Sequence, residues 1–365
     1  MAKASFISLL CMFLFLSYLF NDVKCDAPFA PALYVFGDSV VDSGNNNYLQ
    51  TLIKVNYKPY GIDFPFGATG RFTNGKTVAD YVAQSLGLPF APPYLGLSSH
   101  VDKRRIITGV NYASGSAGIL PESGTALGKN LDFGTQIKYF QDTVTKNLPK
   151  FFKSHLELSH YLSKSIFFIV IGNNDYLNNY IQPARYNSSK IYTPQHFGQL
   201  LLGLLKTHLK KLYTLGARKF VVADVAPVGC LPAVVNSIKP KPTTPCAENL
   251  NGLVTFFNAG LPKILLELRK TLPGSKFVQG EVYKILYDMN QNPSKYGLLD
   301  AMAPCCVSSK TTGLCFGNRE PCQNRSTHLY WDLVHPSQQA YSLIAKSAFS
   351  TGSFLANIKL TAEKP

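Results

Sequence analysis

Three apolar runs in this chain each end in a cluster of small polar residues. Gly37-Asp38-Ser39 follows Leu33 to Phe36, Ser114-Gly115-Ser116-Ala117-Gly118 follows Gly109 to Ala113, and Gly172-Asn173-Asn174-Asp175 follows Ile166 to Ile171. A fourth group, Asp332-Leu333-Val334-His335-Pro336, precedes a helical pattern with Ala340, Leu343, Ile344 and Ala348 on one side. Gly, Asn, Asp and Ser are ordinary turn formers, so any one cluster taken alone reads as a turn. The four together supply the groups that acyl transfer needs. Ser39 offers a hydroxyl nucleophile and His335 a base to take its proton. Asp332, three residues before the histidine, offers an anion that fixes the imidazole tautomer and stabilises its charged form. The negative charge that develops on an attacked carbonyl oxygen needs donors already in place. The backbone N–H of Ser39, that of Gly118 or Gly115, and the side-chain amide of Asn174 could provide them. The other six histidines, His100, His155, His160, His196, His208 and His328, read as structural.

Such groups meet only if the fold brings distant stretches to one edge. The runs Leu33 to Phe36, Gly109 to Ala113, Ile166 to Ile171, Phe220 to Val225 and Lys276 to Gln279 read as strands, apolar without alternation because both faces are buried. Helical patterns lie between them. Ile137, Phe140, Val144 and Leu148 form one apolar stripe and Leu201, Leu205, Leu209 and Leu212 another, the second opened by Thr193 as cap and Pro194 as first helical residue. Alternating strand and helix predicts an α/β fold with a mostly parallel sheet of about five strands covered on both faces. Ligands of such sheets bind outside the carboxyl ends of the strands, where the three clusters fall. Pro336 is expected to open the last helix and hold His335 at its entrance. No repeat or long linker divides residues 26–365, which read as one domain with insertions at Pro59 to Gly75 and Cys305 to Cys322.

Residues 1–25 read as a removable signal peptide: Lys3, an apolar run from Phe6 to Phe20, then Val23 and Cys25 ahead of a plausible cut. That run is too short to span a membrane, and the expected location is extracellular. Of eight cysteines, six follow the cut: Cys230, Cys246, Cys305, Cys306, Cys315 and Cys322. In a secreted chain they predict three disulfides, the last four closing a stapled loop and Cys230 with Cys246 enclosing a Pro-rich stretch. Pairing among six cysteines is open from sequence, and the C-x₂-C and His spacing of a zinc site is missing. Asn187 and Asn324 begin N-x-[ST] sequons, as expected of a glycoprotein.

With 46% hydrophobic and 16% charged residues over 365 positions, the chain belongs among compact globular proteins. Its net charge of +15 is dispersed, with no block longer than Lys103-Arg104-Arg105, which argues against a nucleic-acid partner. The excess reads as solvated surface, or as weak, salt-sensitive attraction to an acidic polysaccharide. Other chemistries lack their signatures. No G-x-S-x-G or H-E-x-x-H occurs, and Gly124 to Asn130 departs from a P-loop in spacing and final residue. Asp38 and Asp175 could be paired as glycosidase carboxylates, but each is explained by its turn.

The run Phe36-Gly37-Asp38-Ser39-Val40-Val41-Asp42-Ser43-Gly44-Asn45-Asn46-Asn47 resembles the first block of the plant GDSL-type, or SGNH, esterases and lipases, and the other three clusters resemble the remaining blocks in order. The resemblance implies a flavodoxin-like three-layer α/β/α domain and ester hydrolysis without metal or organic cofactor. Carried over by position, Ser39 is the nucleophile, Asp332 and His335 complete a triad, and Asn174 is an oxyanion donor. Gly118 is favoured over Gly115 as a further donor because Ile119 follows it, as in the usual form of the block. Tyr112 stands where many members have Phe. The substrate would be a lipid or an acylated cell-wall component. Acyl transfer to another alcohol, or a binding protein that has lost turnover, remains open.

Overall fold

The computed structural model describes residues 28–97 and 103–349. The leader expected over 1–25 lies outside them, as does His100. Four strands, β1 (Leu33–Gly37), β2 (Ile166–Val170), β3 (Lys219–Ala223) and β4 (Lys276–Gly280), run parallel and pair in that order. Among the described residues seven longer helices surround them: α1 (Val78–Ser85), α2 (Phe133–Asp142), α3 (His155–Lys164), α4 (Pro194–Thr214), α5 (Glu248–Thr271), α6 (Val282–Gln291) and α7 (Gln338–Phe349).

Alternate strand residues enter two separate cores, which makes the fold three-layered. Tyr34, Phe36, Phe167, Ile169, Phe220 and Val222 pack with α2, α3, α4 and α5. Leu33, Val35, Ile166, Phe168, Val170, Val221 and Ala223 pack with α1, α6 and α7. The α4 stripe of Leu201, Leu205, Leu209 and Leu212 is fully buried, each side chain stabilising the fold by about 2 kcal/mol. Thr193 accepts from the N–H of His196 with Pro194 beside it, the start expected from sequence.

The sheet has four strands among the described residues where about five were expected. The segment Gly109 to Ala113 reaches β1 only at a bridge between Val35 and Asn111. Its first ladder bonds form, Val110 O accepting from Val35 and Tyr112 N donating to Val35 O. The bond that Gly37 N–H would add is missing, because that N–H donates to Gln136 Oε1 at 2.8 Å, while Gly37 O accepts from both Ser114 N and Gln136 Nε2. A glutamine from α2 thus takes one N–H of the edge that a fifth strand would use. The segment still flanks β1 on the side away from β2, the flavodoxin-like order.

Two further differences concern helices. The stripe through Val144 and Leu148 persists, but α2 stops at Asp142 and continues as a wider turn and a short 3₁₀ stretch containing Pro149. The last helix begins at Gln338, so Pro336 does not open it. Pro336 instead bridges Tyr330, while Ser337 Oγ accepts from Ala340 N. A small parallel pair, β5 (Asp300–Pro304) and β6 (His328–Tyr330), lies beyond the main sheet and had no clear sequence signal.

Candidate active site

Ser39 leaves the carboxyl end of β1 through a turn that only glycine can start. Gly37 has φ +152°, and a Cβ there would lie 2.2 Å from Val170 O. Asp38 then ties two strand ends together: its Oδ1 accepts from Val40 N at 3.0 Å and its Oδ2 from Asn173 Nδ2 at 2.9 Å. His335 arrives from the other end of the chain, in the turn after β6, held by Trp331 N donating to His335 O.

The imidazole joins the two halves. His335 Nε2 lies 2.8 Å from Ser39 Oγ, and Nδ1 lies 2.9 and 2.8 Å from the two oxygens of Asp332. With Nδ1–H donating to the carboxylate, Nε2 is left to accept the serine proton. Asp332 is wholly buried, and its Oδ1 also accepts from the N–H groups of Val334 and His335. Its Oδ2 accepts from Tyr60 OH at 2.6 Å, and Tyr60 OH in turn accepts from Cys315 N. The Phe72 ring lies 5.0 Å from the imidazole, centre to centre.

The remaining clusters meet the site unevenly. Asn174 lines the same cleft as Ser39 and His335. One Nδ2 hydrogen goes to Ala117 O and Asn178 Nδ2 donates to Asn174 Oδ1 at 2.6 Å, which fixes the amide and leaves its second N–H available. Neither glycine lines the cleft. Gly115 N–H donates to Asp42 Oδ2, whereas Gly118 N–H has no hydrogen-bond partner among the described residues. A Cβ on Gly118 would come within 2.6 Å of Asp175 Oδ1, so the position also has a packing reason to be glycine.

Asp38, Asp42 and Asp175 sit in the turns that hold these clusters, and burial pushes each carboxyl up to about 6 against the opposing pull of its hydrogen-bond donors. Asp175 accepts from Ile119 N, Leu120 N and Ser123 Oγ, which pins the second cluster to the third. These bonds account for Asp38 and Asp175 as turn-holders, as their positions in the sequence suggest. Asn187 and Asn324 are both exposed.

Tyr60, Phe72 and Asn178 were missed from sequence. Asn178 had a signal, its spacing of four from Asn174 on a helical turn. Tyr60 and Phe72 had none, since their partners lie more than 250 positions away. Disulfides join Cys230 to Cys246, Cys305 to Cys322 and Cys306 to Cys315. The one described group of metal-binding composition, Cys305, Cys322 and His328, has its two sulfurs bonded to each other.

A three-layer α/β/α fold with a hydrogen-bonded serine, histidine and aspartate at the carboxyl edge of its sheet has the constellation of a serine hydrolase. A family model described as GDSL-like lipase/acylhydrolase matches residues 33–348. The chain is 44% identical over 346 residues to GDSL esterase/lipase 7 of Arabidopsis thaliana, 94% of each chain. Two further GDSL esterase/lipases of Arabidopsis thaliana are 40% identical over 331 residues, 89% of this chain and 88% of theirs, and 37% identical over 343 residues, 93% and 92%. The protein belongs to the GDSL-like lipase/acylhydrolase family. The likeness seen in its four sequence blocks is therefore one of membership.

Proposed function

We propose that this protein is a secreted carboxylic ester hydrolase in which Ser39, His335 and Asp332 form a catalytic triad. Ser39 Oγ attacks the ester carbonyl as His335 Nε2 takes its proton. The alcohol leaves with that proton, and water, activated by the same nitrogen, releases the acid and restores the serine. The observation that carries this reading is the 2.8 Å contact from His335 Nε2 to Ser39 Oγ, with Asp332 on the opposite ring nitrogen. The oxyanion is held by Ser39 N–H and Asn174 Nδ2; Gly118, whose N–H is unpaired among the described residues although the residue does not line the cleft, is the third donor that the family block suggests. Hydrolysis of p-nitrophenyl acetate by the purified protein tests the reaction class. A folded protein no faster than buffer contradicts it.

Asn174→Ala removes one donor and lowers kcat by about a hundredfold or more with KM little changed. Steady-state kinetics on the same ester check this, and an unaltered kcat removes Asn174 from the oxyanion site. Tyr60 acts through Asp332 as a positioning residue. Tyr60→Phe deprives the carboxylate of a donor and makes it more basic, which stabilises the imidazolium of His335. The acid limb of the kcat/KM profile then moves to higher pH, a shift that simple loosening of the fold would not produce.

Three disulfides among the described residues and two sequons with exposed asparagines support passage through the secretory route after loss of residues 1–25. Residues 26–365 act as one domain, a reading supported by the convergence of the first and last blocks on one site. The natural ester is a lipid or an acylated cell-wall component, and weak attraction to acidic polysaccharide would keep the enzyme near such a surface.

A further inference from the structure

Ser39 and His335 line one end of a cavity of about 560 Å³ that continues between the sheet and the helices of the second core. Its walls are Val82 of α1, Phe168 and Val170 of β2, Ala223 of β3, Ile285 of α6 and Ile344 of α7. Protein cores rarely leave space larger than a water molecule, because an unfilled void forfeits dispersion contacts. The opposite core, with α2 to α5, is built from interlocking rings and leucines. A cavity of this size against the sheet face of the second core, opening onto the nucleophile, therefore calls for a ligand.

The shape limits what that ligand is. The cavity reaches from the end of β1 to residues of β4, three strand spacings or about 14 Å. At about 30 Å³ for each water-sized group, its volume would hold on the order of 15 to 20 of them. Near β3 and β4 the lining turns polar, where Asp224 and Gln279 hydrogen-bond to each other, so an apolar occupant has a bounded length. Tyr341 supplies a second pointer. It is 1% exposed, lines the cavity, and its hydroxyl has no hydrogen-bond partner among the described residues. A buried donor in that state is available to the polar end of a ligand.

Building on the esterase reading, we propose that this cavity is the acyl-chain site, and that the preferred substrates are esters of straight saturated acids of about eight to sixteen carbons, the size its volume admits. The chain lies under the sheet edge with its carbonyl at Ser39, and the alcohol portion faces outward. Acetyl esters react but leave the cavity unused.

The test is a series of p-nitrophenyl esters from acetate to hexadecanoate, with calorimetric titration of dodecanoate as a readout independent of turnover. In the parent protein kcat/KM rises about fourfold per added methylene over the first several members, and dodecanoate binds. Ile285→Trp, which fills the cavity from the α6 side, lowers the ratio of dodecanoate-ester to acetate-ester kcat/KM at least tenfold. Ile285→Phe does so to a lesser extent if the tryptophan variant does not fold. Acetate cleavage with no gain from longer chains, or a ratio unchanged in both variants, overturns the cavity assignment and leaves the triad standing. Failure to cleave any ester contradicts the triad instead, and dodecanoate binding then decides the cavity by itself.

Discussion

Ser39→Ala lowers kcat on a short p-nitrophenyl ester by about a millionfold, to a residual rate set by the oxyanion donors and by binding. The size of the loss follows from the geometry, because the one oxygen placed at His335 Nε2 is the one removed. His335→Ala has nearly the same effect, and the double variant loses little more than either single one, since base and nucleophile act as a unit. Rate measurements on the three proteins, each with folding checked by circular dichroism, test this. Multiplying losses would mean that the two residues act independently and are not a nucleophile–base pair.

Asp332→Asn keeps the shape of the site and lowers kcat by about ten-thousandfold. The reason lies in how the carboxylate is used. Oδ1 accepts from Val334 N and His335 N, both backbone donors of a tight turn, so the asparagine must keep its carbonyl oxygen there. Its amide nitrogen then replaces Oδ2 and presents hydrogens to Tyr60 OH and to His335 Nδ1. The imidazole responds by accepting at Nδ1 and carrying its proton on Nε2, the tautomer that cannot take a proton from Ser39. A kcat within tenfold of the parent would show that Asp332 does not set the tautomer.

The parts of this arrangement readable from sequence are those encoded within a few residues. Strand-end clusters announce themselves because a fully buried run ends abruptly in Gly, Asp, Ser or Asn. The Asp332–His335 contact is readable because three residues in a turn can close it. The α4 boundaries follow from a cap, a proline and a leucine period, all local. What could not be read depends on side chains from remote segments. Gln136 of α2 interrupts the pairing of the expected fifth strand by competing for a single N–H. Tyr60 reaches Asp332 from an insertion that looks like an ordinary Gly/Pro-rich loop, and the Cys306–Cys315 staple helps place the N–H that completes it. Pro336 suggests a helix start, yet the backbone pairs with Tyr330 and the helix waits two residues longer. The cavity had no sequence signal, because a void is a property of how layers fail to meet.

Activation of Ser39 by His335 is tested most directly by covalent labelling with a fluorophosphonate, followed by mass analysis of the peptide that carries Ser39. One label per molecule on Ser39 in the parent, and loss of labelling in folded His335→Ala, is the expected result. A parent protein that stays unlabelled, or a His335→Ala variant that reacts as fast, would contradict it.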